Sequence, residues 1–354
     1  MSIAFISSDF GVSPTGTLTP GGCGYYRCIL PMLVSGQPSH AGRIAWDPIR
    51  GFGIRDTHST GVFGFNTVVL KLIMDRWTPK QIELAQSLGQ RIIVDVDDYF
   101  EGLTPANKAW DVTHPEKNKR TNRDNYERVI AAADLITVST PFLFDIYNAK
   151  YGNVALVRNG VNIRQFPKRS QNVKPVIGWT GATSYRNNDL EQLREWLPEF
   201  LEEHDLMFHH AGHSDDAPAF SDVTGVDPNR VRTTPILPIH DYPSGFQFDI
   251  GIVPLNDIPF NVAKSNIKGL EYAASGVPFV ASDLPEYRLL HEDGIGQIAR
   301  TADDWVQQMT FLLDFQRRRK IGATIRDATS QRWSIEARAA EWRAVFSEGV
   351  GQGR

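Results

Sequence analysis

Short apolar runs alternate with amphipathic stretches along most of the chain. Ile3–Ser7 (IAFIS), Thr67–Met74, Arg91–Val96, Leu135–Val138 and Val154–Val157 are apolar and rich in β-branched residues, which predicts buried strands. Between them Tyr25–Leu33, Pro79–Leu88 and Asn125–Ala133 carry apolar positions at helical spacing. After a polar linker, Lys168–Lys174, the pattern repeats. Strands are expected at Val176–Trp179, Leu206–His210, Val231–Ile236, Ile250–Pro254 and Pro278–Ser282, and helices at Asp189–Glu203, Ile267–Ser275, Trp305–Arg318 and Ser334–Phe346. Alternating strands and helices predict parallel sheets covered on both faces. The chain therefore reads as two doubly wound α/β domains, 1–170 and 171–330, facing each other across a cleft. Residues 331–354 add a C-terminal helix expected to pack back toward the first domain, with Ala339, Trp342 and Phe346 on one face. Ligands of such sheets bind at the C-terminal strand ends.

Composition narrows the setting. The 354 residues are 41% hydrophobic and 22% charged, with no apolar run of membrane-spanning length and no secretory leader pattern at the start. Cys23 and Cys28 cannot staple a domain this large and fit a reducing, cytoplasmic setting. The nine histidines show no structural-zinc spacing. The net charge of -4 hides an asymmetry: residues 1–170 carry 19 basic and 15 acidic side chains, residues 171–354 carry 18 and 26. The stretch Lys117–Arg128 (KNKRTNRDNYER) is either a solvated helix face or an attraction for an acidic partner. The more basic half is the side expected to meet an acceptor.

The segment Asp249–Asp283 carries the strongest chemical signal, reading strand, loop, helix, turn, strand. Lys264 and Ser265 fall at a helix N-terminus, where free backbone N–H groups and the dipole favour anions such as a diphosphate. Glu271 lies two turns on, on the same face as Lys264, and would accept hydrogen bonds from a ribose diol. An ion pair would also explain it. Gly181 ends an apolar strand, so its backbone can approach a phosphate, with Thr183 or Ser184 as donors and Arg186 supplying charge or simply lying exposed. Gly21–Arg27 (GGCGYYR) is a glycine loop opening a helix, but the dinucleotide pattern G-x-G-x-x-G is absent. Cys23 in that loop has no base tied to it by spacing. Asp95, Asp97 and Asp98 follow a buried strand and would bind a divalent metal, orient an acceptor hydroxyl, or cap the next segment. His209, His210 and His213 (HHAGH) read as core or cleft-edge packing, because successive strand residues face opposite ways.

Three segments together resemble GT-B nucleotide-sugar glycosyltransferases, particularly the retaining, family-4-like group found in bacteria and phages. They are Arg158–Phe166 (RNGVNIRQF), Ile177–Leu190 (IGWTGATSYRNNDL) and the FN-x-x-KS-x-x-K-x-LEYAA run that ends in LEYAASGVPFVAS. The resemblance implies two Rossmann-like domains and transfer of a sugar from a nucleotide-diphosphate donor, UDP- or GDP-linked, to an acceptor hydroxyl with retention. It implies donor contacts from Gly22, Gly24, Arg27, Gly181, Thr183, Arg186, Lys264, Ser265, Lys268 and Glu271, with Asp97, Asp98 and Lys264 nearest the chemistry. Arg27 would contact phosphate or brace its helix. No obligatory cofactor is implied, and a divalent metal is not expected. The acceptor would be a saccharide, a protein or a modified DNA base. One departure stands out: the group often has a second glutamate eight positions before Glu271, and Ala263 stands there. The rival functions are a nucleotide-sugar epimerase of the same architecture and a catalytically weak nucleotide-sugar-binding protein.

Overall fold

A computed structural model describes residues 2–13, 16–55 and 61–347. Two parallel sheets dominate it. The first has eight strands, in the order Val154–Leu156, Leu135–Val138, Arg91–Val96, Thr67–Lys71, Ile3–Ser7, Ser39–Asp47, Gly51–Arg55, Gly61–Val62. All pairings are parallel except the last two, which are antiparallel. The second has six parallel strands, in the order Val231–Pro235, Met207–His213, Val176–Thr180, Ile250–Val253, Phe279–Ser282, Gln297–Ala299. The central strands are buried on both faces, as near-continuous apolar runs require.

Where structure and pattern differ, the backbone gives the reason. The run expected at Thr67–Met74 ends as a strand at Lys71, because Leu72 turns into the left-handed region (φ 53°). The helix expected over Asp189–Glu203 is a 3₁₀ turn, Glu191–Glu195, then a helix, Leu197–Glu203. Trp196 breaks it just before Pro198, which sits in the first turn. The helix expected at Trp305–Arg318 is two helices, Ala302–Leu313 and Phe315–Arg332. Asp314 separates them and caps the second by accepting from the Arg317 amide at 2.6 Å. The antiparallel extension Ser39–Arg55 and the hairpin Phe10–Val12 with Leu18–Pro20 have half-exposed stretches and mixed patterns that the apolar-run reading misses.

The chain crosses between the two sheets twice, side by side. The Val161 amide donates to Trp333 O and the Ile335 amide to Val161 O, each at 2.9 Å. Gly160 permits this closeness, since a Cβ there would lie 2.9 Å from Ile335 Cα. The final helix, Ala339–Ser347, follows the second sheet in sequence but seats on the first. Phe346 meets Phe5 edge-to-face at 5.7 Å, and Val345 O accepts from Arg91 at 2.6 Å. No helix among the described residues is long and apolar enough to cross a membrane.

Candidate active site

The C-terminal end of Val176–Thr180 organises one wall of the cleft. Beyond it Gly181 adopts φ +134°, and on the neighbouring strand Gly212 adopts φ +114°. A Cβ on Gly212 would sit 2.9 Å from the Gly181 carbonyl, so two glycines let adjacent strand ends touch backbone to backbone. A Cβ on Gly181 would lie 2.5 Å from the Arg186 guanidinium, so the same glycine admits a cation against the main chain. His210 locks the arrangement: its Nε2 lies 2.8 Å from Gly181 O, and burial lowers the imidazole to about 4. Neutral His210 therefore donates this bond.

Two cations converge there. Arg186 and Lys268 both sit over the Trp179 ring, at 5.1 and 5.5 Å. Lys268, from the helix Ile267–Ala274, donates to Thr180 O and to Thr180 Oγ1. Neither cation joins an ion pair among the described residues. Burial and then Arg186 push the Lys268 ammonium down to about 7, and burial lowers Arg186 as well. Two half-buried cations thus stand side by side against open backbone. A cavity of about 180 Å³ adjoins it, walled by Gly181, Gly212, Ile236, Leu237 and Tyr242. That is well under the roughly 300–1,000 Å³ that holds a whole drug-sized ligand, so it suits a single ring whose remainder extends into the cleft.

Glu271 lies on the far side of Lys268, 5% exposed. Its carboxylate accepts from two phenols, Tyr26 on Oε1 at 2.6 Å and Tyr242 on Oε2 at 3.0 Å. Burial raises it above the ordinary carboxylate range, against Lys268 and the two hydroxyls, which favour the anion. Tyr242 Oη is also 3.0 Å from Thr180 Oγ1. Tyr26, Tyr242 and Thr180 are the site residues that sequence reading missed. Tyr26 stands inside GGCGYYR, a run read for its glycines and arginine, and Tyr242 sits on a loop with no motif.

The first sheet supplies the opposite wall, and its charges are already matched. Arg27 is fully buried: Nη2 and Nε grip Asp95, at 2.6 Å for the closest contact, and Nη1 donates to Val157 O and Asn159 Oδ1. Its guanidinium stacks over Trp342 at 4.7 Å. Of the two roles open to Arg27, the geometry provides the brace, with four of its five N–H donors committed within the first half. Asp97 pairs with buried Lys71, and Asp98 reaches across the cleft to Lys264 at 3.5 Å. Ser265 Oγ likewise turns to the first half, accepting from Asn159 at 2.8 Å. Thr183 donates to Pro218 O at 2.8 Å, which orders its loop.

The glycine loop differs from expectation in a related way. The Gly24 amide donates to Asp9 Oδ2 at 2.8 Å, and a Cβ on Gly21 would overlap that carboxylate. The chain's own Asp9 occupies the anion position that a diphosphate was expected to take beside Gly24. Gly22 is exposed with open space at its Cβ position. For a metal, Cys23, Asp97 and Asp98 are the described residues whose ligand atoms gather within 4.8 Å. Burial, and then the Asp97 charge, holds the Cys23 thiol well above its usual range.

Comparison with known proteins agrees with this layout. Residues 188–344 match the family model described as "Glycosyl transferase-like". No curated protein sequence matches the chain. Among solved structures, sucrose-phosphate synthase from Thermosynechococcus elongatus superposes with TM-score 0.65 at 14% identity, covering 98% of both chains. A glycosyltransferase from Rickettsia africae ESF-5 gives 0.64 at 10% identity, covering 99% of both. Anabaena Alr3699/HepE, solved in complex with UDP-glucose, gives 0.62 at 13% identity, covering 98% of this chain and 100% of that one. Two Rossmann-like domains about one cleft, the GT-B arrangement, are thus shared with these proteins, and residues 188–344 of this chain are similar to the glycosyl transferase-like family.

Proposed function

We propose that the protein moves a sugar from a UDP-linked donor to an acceptor hydroxyl, with retention at the anomeric carbon, as the family-4-like resemblance implies. The observation that carries this is the pair Arg186 and Lys268, desolvated and without a carboxylate partner, converging on the Gly181–Gly212 backbone beside a small apolar cavity. In this reading the base enters the cavity, the ribose diol meets Glu271, and the diphosphate lies against the two cations. Negative charge grows on the leaving diphosphate as the bond from C1 to the phosphate oxygen breaks. Fixed cations in a buried site stabilise that charge without reorganising. The acceptor oxygen bonds to C1 from the same face, and its proton passes to the departing phosphate oxygen. Asp97 and Asp98 from the first half, with Lys264 from the second, orient the acceptor. UDP is the preferred nucleotide because Anabaena Alr3699/HepE was solved with UDP-glucose.

The test supplies UDP-glucose with saccharide, protein and DNA acceptors in turn, and follows UDP release and product mass. Release that depends on an acceptor, with a sugar added to it, supports transfer. Epimer or free sugar from the donor alone would refute it, as would UDP binding without turnover on any acceptor.

A further inference from the structure

Glu271 is already occupied by the protein. Each carboxylate oxygen accepts a phenol proton, and the side chain is 5% exposed, so no open face remains for a diol. A ribose can reach it only by replacing one of the phenols. The two are not equivalent. Tyr242 belongs to the same half of the molecule as Glu271, touches Thr180 Oγ1 and lines the cavity, so it is held in place by three features. Tyr26 comes from the other half and has Glu271 as its one hydrogen-bond partner among the described residues.

The element that carries Tyr26 is unusual in form. Tyr25–Ile29 is a π-helical turn between the glycine loop and the helix Leu30–Val34. Such a turn holds one residue more than an α-turn, and π-turns recur at functional sites. Its other tyrosine is tied to the second half too. The Tyr25 hydroxyl donates to Gln165, whose amide donates to Ile239 O at 2.5 Å on the loop leading to Tyr242. The glycine-loop helix is therefore fastened to the nucleoside side of the cleft at two adjacent residues.

We infer that Tyr26 is a positioning residue: it holds Glu271 until a donor arrives and yields it to the ribose diol of that donor, which releases the glycine-loop helix from the second half. This rests on the proposed reading of Glu271 as the ribose acceptor. The exchange conserves hydrogen bonds at the carboxylate and makes the first half respond to the nucleotide. Because the free protein must give up the Tyr26 bond before it binds, its apparent affinity is lowered by the fraction of molecules already open.

The experiment measures UDP binding by calorimetry for the wild type, Tyr26→Phe, Tyr242→Phe, Tyr25→Phe and Glu271→Gln, with melting curves to confirm folding. Tyr26→Phe is expected to bind UDP about three- to tenfold more tightly, since the competitor is gone. Tyr242→Phe should bind about tenfold more weakly, having lost a fixed partner of the site. Tyr25→Phe, which loosens the same helix but does not reach Glu271, should tighten binding by less than Tyr26→Phe. In the wild type, UDP should accelerate amide exchange over Gly24–Leu30, a readout independent of any variant. Unchanged or weaker binding by Tyr26→Phe, or unchanged or slowed exchange, overturns the role of Tyr26 while loss of binding in Glu271→Gln leaves the proposed reading intact. Wild-type affinity in Glu271→Gln, or no UDP binding by the wild type, overturns the reading and this inference with it.

Discussion

The two walls of the cleft handle charge in opposite ways. On the first-sheet wall Asp95, Asp97 and Asp98 each have a cation: Arg27, Lys71 and Lys264. On the second-sheet wall Arg186 and Lys268 join no ion pair among the described residues, although the nearby Glu271 charge favours the charged form of Lys268. Burying a charge is costly unless it is paired. The paired wall is thus stable as it stands, and the unpaired wall stores a cost that an anionic ligand relieves. A motif's residue types say little about which situation holds. Arg27 and Arg186 both follow glycine loops at strand ends, yet one is sealed in the core and the other faces open backbone. A guanidinium is ligand-ready because of what fails to meet it.

The largest effect should come from breaking a pair on the matched wall. Arg27→Met leaves Asp95 buried with Thr137 at 2.7 Å and Lys71 at 3.8 Å as its remaining partners. Removing one partner of a buried pair costs about 3–5 kcal/mol, so the melting temperature should fall sharply. A melting temperature near wild type would show that the pair is not structural. Lys268→Met should behave the other way. It removes a half-buried cation that joins no ion pair, so the free protein should melt close to wild type, while UDP binding weakens about 10- to 100-fold through loss of a charge-assisted contact. A fall in both would place Lys268 among the structural charges and collapse the contrast between the walls.

The contrast also explains how far the sequence could be read. The parallel cores were legible because fully buried strands appear as apolar runs, and Arg91–Val96 and Leu135–Val138 match the observed strands residue for residue. The antiparallel extension was not legible, since Ser39–Asp47 alternates half-exposed positions with few apolar ones. At the site, Gly181, Arg186, Lys268 and Glu271 could be named because glycine freedom and charge are local properties of the chain. Their satisfaction is not local. Whether a guanidinium is matched by a carboxylate depends on Asp95, 68 residues from Arg27, while Arg186 meets only the Ala182 carbonyl, and Asp9 fills the glycine loop from 15 residues upstream. The phenols on Glu271 arrive from 245 and 29 residues away. Pairing across such separations is fixed by topology and leaves no spacing signal.

A smaller effect separates the walls by pH. Lys268 titrates at about 7 in the free protein, and an adjacent diphosphate favours its charged form. The bound state therefore holds a proton that the free state loses as pH rises through 7. UDP-glucose is the suitable probe, because its diester phosphates do not titrate nearby. Affinity should be level below pH 7 and fall by at most about tenfold per unit above it, the slope of a single proton. Calorimetry in buffers of different ionisation enthalpy at pH 8 should show proton uptake on binding. Lys268→Met should abolish both the slope and the uptake. A pH-independent affinity in the wild type would mean that Lys268 stays charged without a ligand, and so is not the uncompensated cation of the second wall.

The smallest effect on stability belongs to a half-exposed pair that spans the cleft. Lys264 and Asp98 are 28% and 22% exposed and 3.5 Å apart, so solvent screens them. Pairs near the surface contribute about 0–1 kcal/mol, and Asp98→Asn should scarcely move the melting temperature. It tests the comparison at its boundary, since Asp98 belongs by position to the matched wall and by exposure to the working cleft. If it orients the acceptor, Asp98→Asn lowers turnover at saturating donor and leaves UDP affinity within about twofold, because the diphosphate cations are on the other wall. If it serves only as the counter-ion of Lys264, turnover holds and UDP affinity rises as the lysine is freed toward the anion. The two outcomes move different constants, so one variant assigns Asp98 either to chemistry or to architecture.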